Sequence, residues 1–474
     1  MTNEQNRRAL IVGMGISGMA TAIRLRQVGW EPVIVERATQ RRTGGYFVLL
    51  WGSGRASAER LGMGPGVTDR SAPDTVHYEV DRRGNRIGVS ILGNLPNGPR
   101  MMRRNDVENA AFQALPDDVE IRFSTVPTAI EQDADGVDVT LHDTASGDSM
   151  TERFGLVIGA DGLRSTVRRL VFGPHERYMH PLGGITCAFQ LSKPLPGLAQ
   201  EDTAVLLEPD DDRAMWVFGF QEELPTVMLT YRTKDIDAEF HLPPAERLRQ
   251  VFGDRPTGKL LGAVLDEADK AEDILFDSAE QVHMDSWHQG RVVLVGDSAW
   301  CVTLYAGMGV SAGLAGADLL GSMLLRHPDD LTRALTEWQR TLRPSVTEWQ
   351  GSAEGLRQWF NPSGRREMLM RFIWTRGEGW PVVGRWVRKL LPTHQGPEER
   401  GRCSRLNLHR LCWVMHPFVR AVQDADAHTI GLLTEREETR HLLGRPGVRR
   451  ACAGRRHVRV DERCRGEGDR SRAG

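Results

Sequence analysis

Short apolar runs, each ended by glycine or an acid, punctuate the first three hundred residues. Residues 9–12 (ALIV) are apolar throughout and read as a strand buried on both faces. Residues 19–28 then carry apolar positions at helical spacing and stop at Gly29. A second apolar run, residues 32–35 (PVIV), ends at Glu36. The same strand pattern recurs at 156–160 and 290–295, and helical spacing returns over 310–325. The middle of the chain alternates instead. Residues 76–89 predict a hairpin turning at Arg83-Gly84-Asn85. From 178 to 232, ITCAFQL, TAVLLE, MWVFGF and TVMLTY are separated by Pro/Asp turns and predict an antiparallel sheet. Within MWVFGF, Trp216, Phe218 and Phe220 share one face, and Met215 and Val217 the other. The first face is a candidate substrate wall; packing against a helix is the alternative for each residue. Residues 329–359 carry helical spacing interrupted at Pro344, and 366–391 form a Met-, Trp- and Arg-rich amphipathic stretch. That stretch is expected to pack on the parallel unit, with a cavity cap, a dimer contact or a membrane-surface contact as alternatives.

Candidate chemistry sits where the strands end. Gly13-Met14-Gly15-Ile16-Ser17-Gly18 opens the first helix directly after a strand. Gly13 permits a tight turn, Gly15 lets a pyrophosphate approach the backbone, and Gly18 lets helix and strand pack closely. The helix start offers unpaired N–H groups and partial positive charge to phosphates. Glu36, at the end of the second strand, is placed to accept hydrogen bonds from an adenosine ribose, favouring the unphosphorylated ribose of FAD or NAD. Asp161-Gly162 and Gly296-Asp297 end two further strands, where an open parallel sheet binds ligands. Each aspartate has a plainer alternative as a strand-end turn or helix cap. Gly307-Met308-Gly309 precedes another helix, whose first amides can support negative charge.

These segments resemble the FAD-dependent aromatic monooxygenases of the p-hydroxybenzoate hydroxylase type. The likeness covers roughly residues 7–390 and includes two further stretches: GGYFVLLWGSG at 44–54 resembles a second glycine loop, and MMRRNDVENAAF at 101–112 an Arg-x-x-Leu helix start. The resemblance implies that Glu36 and Arg37 hold the adenosine end and that Arg104 reaches the flavin or its pyrophosphate. It implies Asp161 near the pyrophosphate and the nicotinamide approach, and Asp297 on the ribityl chain. The amides around Met308 and Gly309 would face the flavin pyrimidine edge. It further implies that NADPH or NADH acts as transient reductant, with O₂ adding at flavin C4a and the hydroperoxide oxygenating an aromatic or polycyclic substrate. Few catalytic side chains are then needed, because the flavin carries the hard chemistry. The sequence departs from the family at Val302-Thr303-Leu304, where prolines are usual, at Trp300, and at Val107 in place of leucine. Baeyer–Villiger insertion, epoxidation or dehydrogenation on the same scaffold, and a non-catalytic FAD binder, are the alternatives.

The fold expected is α/β plus β. A Rossmann-like FAD-binding domain (1–75, 101–175 and 285–328) is interleaved with an antiparallel substrate domain (76–100 and 176–284), followed by C-terminal helices (329–395). Composition adds exclusions. A net charge of −2 gives no overall affinity for nucleic acid, and no apolar run is long enough to span a membrane. The six cysteines form no CxxC pair and no metal spacing stands out, so reduced thiols, no metal, and a cytoplasmic monomer or homodimer are expected. Residues 396–474 contain no lysine but abundant arginine, glycine and cysteine. That tail reads as disordered or as out-of-frame translation, with nucleic-acid binding a remote third alternative.

Overall fold

The apolar runs at 9–12, 32–35 and 156–160 become neighbours in one six-stranded sheet. In the computed structural model, which describes residues 7–41, 44–72, 76–89 and 99–376, Arg8–Val12 lies between Glu31–Val35 and Leu156–Gly159 and runs parallel to both. Glu120–Arg122 and Val292–Leu294 extend the sheet in parallel on either side, and His288–Gln289 adds one antiparallel edge. Ala9 to Val12, Val33 to Val35 and Leu156 to Ile158 are all buried, as strands covered on both faces require. Because these strands are parallel, the loops after Val12, Gly159 and Leu294 emerge at the same end of the sheet.

A second sheet has seven strands, in the order Leu275–Val282, Met179–Gln190, Glu223–Arg232, Arg213–Phe220, Thr203–Glu208, His77–Val80 and Arg86–Val89. The hairpin of the last two forms as the alternation predicts, with Gly84 at φ 86°. One pairing corrects the expectation of a wholly antiparallel sheet: Thr203–Glu208 runs parallel to His77–Val80. The latter strand arrives from a segment more than a hundred residues earlier, so no tight turn dictates its direction.

The two faces of this sheet divide the core. Trp216, Phe218 and Met228 join the core shared with the parallel sheet. Met215, Val217 and Leu229 pack instead with Leu248, Phe252, Leu261 and Val264 of helices Pro244–Phe252 and Gly258–Ala268. Phe47–Leu50 pairs with Arg100–Arg103, and Thr125–Gln132, Val137–Asp143 and Ser149–Phe154 form a separate meander.

Helix Gly309–Arg326 packs on the fingerprint helix Ile16–Gln27, and Leu331–Phe360 packs on Gly309–Arg326. The expected interruption at Pro344 does not occur, since Leu331–Phe360 runs through it. Leu335, Trp338, Leu342, Val346, Trp349, Ala353, Leu356 and Trp359 form one buried stripe on both sides of the proline. Burial of about 1.5–3 kcal/mol per large apolar side chain outweighs the ~3 kcal/mol that an internal proline costs. Gly364–Arg376 is the last helix described. The rest of the 366–391 stretch and the whole 396–474 tail lie outside the described residues. No helix among the described residues is long and apolar enough to cross a membrane, and they contain no cluster of metal-ligating side chains.

Candidate active site

Three glycine-bearing loops interlock at the common end of the parallel strands. Gly13 has φ 102°, and a Cβ there would lie 2.5 Å from the Ala160 carbonyl oxygen. A Cβ on Gly296, at φ 66°, would lie 2.4 Å from Ser17 Oγ. The Ser298 hydroxyl donates to the Gly159 carbonyl at 2.6 Å, and Arg168 donates to the Ser298 carbonyl at 2.9 Å. Close backbone approach thus fuses segments that are distant in sequence. Gly15 is different: it takes an ordinary φ of −72°, and a Cβ there would meet nothing within 4 Å. The helix behind it carries no acidic residue in its first turn.

A cavity of about 620 Å³ opens at Gly15, Ile16 and Ser17. Gly162, Asp297, Gly307 and Gly309 line it, as does Arg104. It continues without a break to Phe218, Met228 and Leu275 of the seven-stranded sheet and to Leu356, Trp359 and Phe360 of the long helix. Gly13, Gly18 and Met308 stand behind the lining. Glu36 is partly buried beside the fingerprint, accepting from the Met14 amide at 2.8 Å and the Ala38 amide at 2.9 Å, while Arg37 is exposed. Asp161 does not line the cavity. Its carboxylate accepts from Ser165 Oγ at 2.5 Å and from the Thr166 and Val167 amides at 2.6 and 3.1 Å, capping helix Thr166–Val171.

Asp297 is exposed, and its accessible surface opens on the cavity whose walls crowd around it. Burial pushes its carboxyl up from the ordinary value, and the nearby Arg104 guanidinium pulls the other way. Arg104 donates to Glu108 at 2.7 Å. Burial works against its charge, but Tyr46, Glu108 and Asp297 outweigh that and keep it firmly protonated. Trp51 fixes the Gly307 turn: its indole N–H donates to the Gly307 carbonyl at 3.0 Å, and its amide donates to Ser311 Oγ at 2.9 Å. The aromatic wall sorts the three predicted residues. Phe218 lines the cavity and stacks on Phe47 at 3.9 Å between ring centroids. Trp216 lies behind it, donating to the Phe360 carbonyl at 2.9 Å, and Phe220 packs near Phe47.

A family model described as an FAD binding domain matches residues 7–329. The chain belongs to that family. It is a flavin-dependent monooxygenase. A protein of Mycobacterium tuberculosis named only as uncharacterized is 30% identical over 68% of this chain and 86% of its own. Monooxygenase CTB7 of Cercospora beticola is 29% identical over 73% of this chain and 85% of its own. Among solved structures, the tetracycline destructase Tet(51) covers 82% of this chain and 99% of its own, with 25% identity and a TM-score of 0.65. HpxO of Klebsiella pneumoniae, solved with FAD and uric acid, shares the fold at 19% identity and a TM-score of 0.62, covering 82% of this chain and 97% of its own.

The residues of this flavin-dependent monooxygenase fit FAD: an open cradle at Gly15, a helix start free of acids, and a continuous cavity leading to a partly polar far end. Tyr46, Phe47 and Trp51 belong to the stretch resembling a second glycine loop, yet their positions in the lining are not legible locally. His77, Thr203, Tyr305, Trp359 and Phe360 also line the cavity and were not singled out by the sequence. The alternation of the strands marks some of them as inward-facing, but only the pairing of distant strands collects them in one place.

Proposed function

We propose that this monooxygenase is an NAD(P)H- and O₂-using hydroxylase of an aromatic or polycyclic small molecule. The observation that carries the reading is the single cavity, lined at one end by the glycine loops and at the other by aromatic residues of the sheet and long helix. In this reading the division into an FAD domain and an interleaved substrate domain places the reacting ring at their junction. The backbone of Gly13 to Gly18 and the helix behind it hold the FAD pyrophosphate, Glu36 and Arg37 hold the adenosine end, and Arg104 reaches the flavin side. Asp161 acts through the turn it caps, fixing Gly162 against the cofactor. Asp297 accepts from ribityl hydroxyls, and the amides from Gly307 to Gly309 face the pyrimidine edge. When bound, FAD supplies reduction by NAD(P)H and activation of O₂ for transfer of one oxygen atom. The chain's own part is to orient the substrate along Phe218 and to exclude water with Trp359 and Phe360.

The test is anaerobic reduction of purified holoenzyme by NADPH and by NADH, followed spectroscopically with and without an aromatic ligand. Bleaching of the flavin bands, faster with ligand, is the expected result. Flavin that neither nucleotide reduces would sink the NAD(P)H reading.

A further inference from the structure

We propose that Trp51 is a positioning residue: its two hydrogen bonds hold the strained turn from Thr303 to Gly307 against the start of helix Gly309–Arg326, and so raise the reduction potential of bound flavin. The inference rests on the reading that the amides from Gly307 to Gly309 face the pyrimidine edge. The prolines usual in the family, which would fix the backbone here, are absent at Val302-Thr303-Leu304. Thr303 stands instead at φ 65° and ψ 156°, a conformation taken almost only by glycine and strained for a β-branched residue. Gly307 follows at φ 63°. A strained turn persists only where its surroundings fix it. The Thr303 side chain does not do so, since its Oγ1 has no hydrogen-bond partner among the described residues.

Trp51 supplies the fixing from outside the turn. Its indole N–H donates to the Gly307 carbonyl, just before the helix, and its amide donates to Ser311 Oγ in the first helical turn. Gly309 and Val310, which line the cavity, lie between these two points. The indole is 5% exposed, and a Cβ on Gly54 would lie 2.7 Å from Ser311 Oγ, so neither partner has room to slide. No side chain caps this helix and its first turn holds no acid. Its leading amides therefore keep their partial positive charge for a ligand. Hydrogen bonds and charge beside a flavin ring tune its electronics. Reduction places negative charge on the ring, so amides held firmly at its edge favour the reduced form.

The test is the midpoint potential of bound FAD in full-length wild type, Trp51→Phe and Ser311→Ala. It is read against a reference dye during slow reduction by xanthine and xanthine oxidase at neutral pH, with the melting temperature of each apoprotein measured alongside. Trp51→Phe keeps an aromatic ring and loses the N–H. It is expected to shift the reduction equilibrium about ten-fold towards oxidised flavin, a fall of about 30 mV for a two-electron couple. Ser311→Ala keeps the indole and suits a helix, so it carries the test if Trp51→Phe does not fold; its potential should fall in the same direction. A potential equal to or above that of wild type in a folded variant would overturn the proposal, whatever happens to the melting temperature, because Trp51 would then serve stability alone. Wild type that retains no FAD would overturn the reading of the cofactor end, and the inference with it.

Discussion

At Gly15 the side chain is missing for a reason that the folded backbone does not supply. Its φ of −72° suits any residue, and an added Cβ would meet no protein atom within 4 Å. Gly15→Ala is therefore expected to leave the melting temperature of the apoprotein unchanged. FAD affinity should fall at least ten-fold, about 1.4 kcal/mol, in a flavin-fluorescence titration. Gly13 stands in contrast: its φ of 102° and the Ala160 carbonyl make it necessary to the fold itself. The sequence reading reached both glycines because their tasks are local and their spacing is fixed. His77 escaped it because one histidine in an alternating strand carries no such spacing. Only the pairing of distant strands brings it to the cavity wall beside Thr203, more than a hundred residues away. Asp161 shows the same limit from the other side, since an aspartate at a strand's end fits a ligand contact and a helix cap equally well until its hydrogen bonds are seen.

Among the elements, the crossing of Gly309–Arg326 with Leu331–Phe360 is the most demanding. Trp338 donates to the Gly316 carbonyl at 2.9 Å, and Trp300 lies so close that a Cβ on Gly316 would sit 2.8 Å from its ring. Alanine would raise helix propensity by about 1 kcal/mol. Overpacking a buried, rigid indole costs about 1–3 kcal/mol, so the clash wins. Gly316→Ala should lower the free energy of unfolding in urea; an increase would show that Trp300 gives way freely. Trp300, bulkier than the family pattern leads one to expect, thus has its space made by a glycine on the neighbouring helix. The elements themselves were largely legible, with the paired apolar runs and the 76–89 hairpin appearing where the pattern put them. The parallel neighbour of Thr203–Glu208 was not, because strand direction across a long connection leaves no local mark. Nor was continuity through Pro344, which depends on the burial of a stripe that flanks the proline on both sides.

At the scale of the whole molecule, burial shifts four of the described histidines in one direction. His77 is held at about 4, and desolvation also lowers His175, His283 and His288 below the ordinary 6.5. The unfolded chain then binds more protons than the folded one as pH falls below 6.5, so unfolding takes up protons. The stability these neutral imidazoles contribute is complete above 6.5 and is lost as pH drops towards the folded values. Urea unfolding measured across that window should show stability falling with acidification, and His77→Gln should flatten the slope. An unchanged slope in the variant would mean that His77 is not held neutral.

The cavity is closed by its latest-arriving parts. Gly15 opens it near the amino terminus, the turn at Gly309 completes the loops at one end, and Trp359 and Phe360 wall off the other. On the ribosome these segments emerge in that order. At roughly 5–20 residues per second, the stretch from Gly309 to Phe360 takes on the order of several seconds to synthesise. For that interval the nascent chain has every glycine loop but no long-helix wall. A large cofactor can therefore be admitted before the aromatic residues that line the other end have been made.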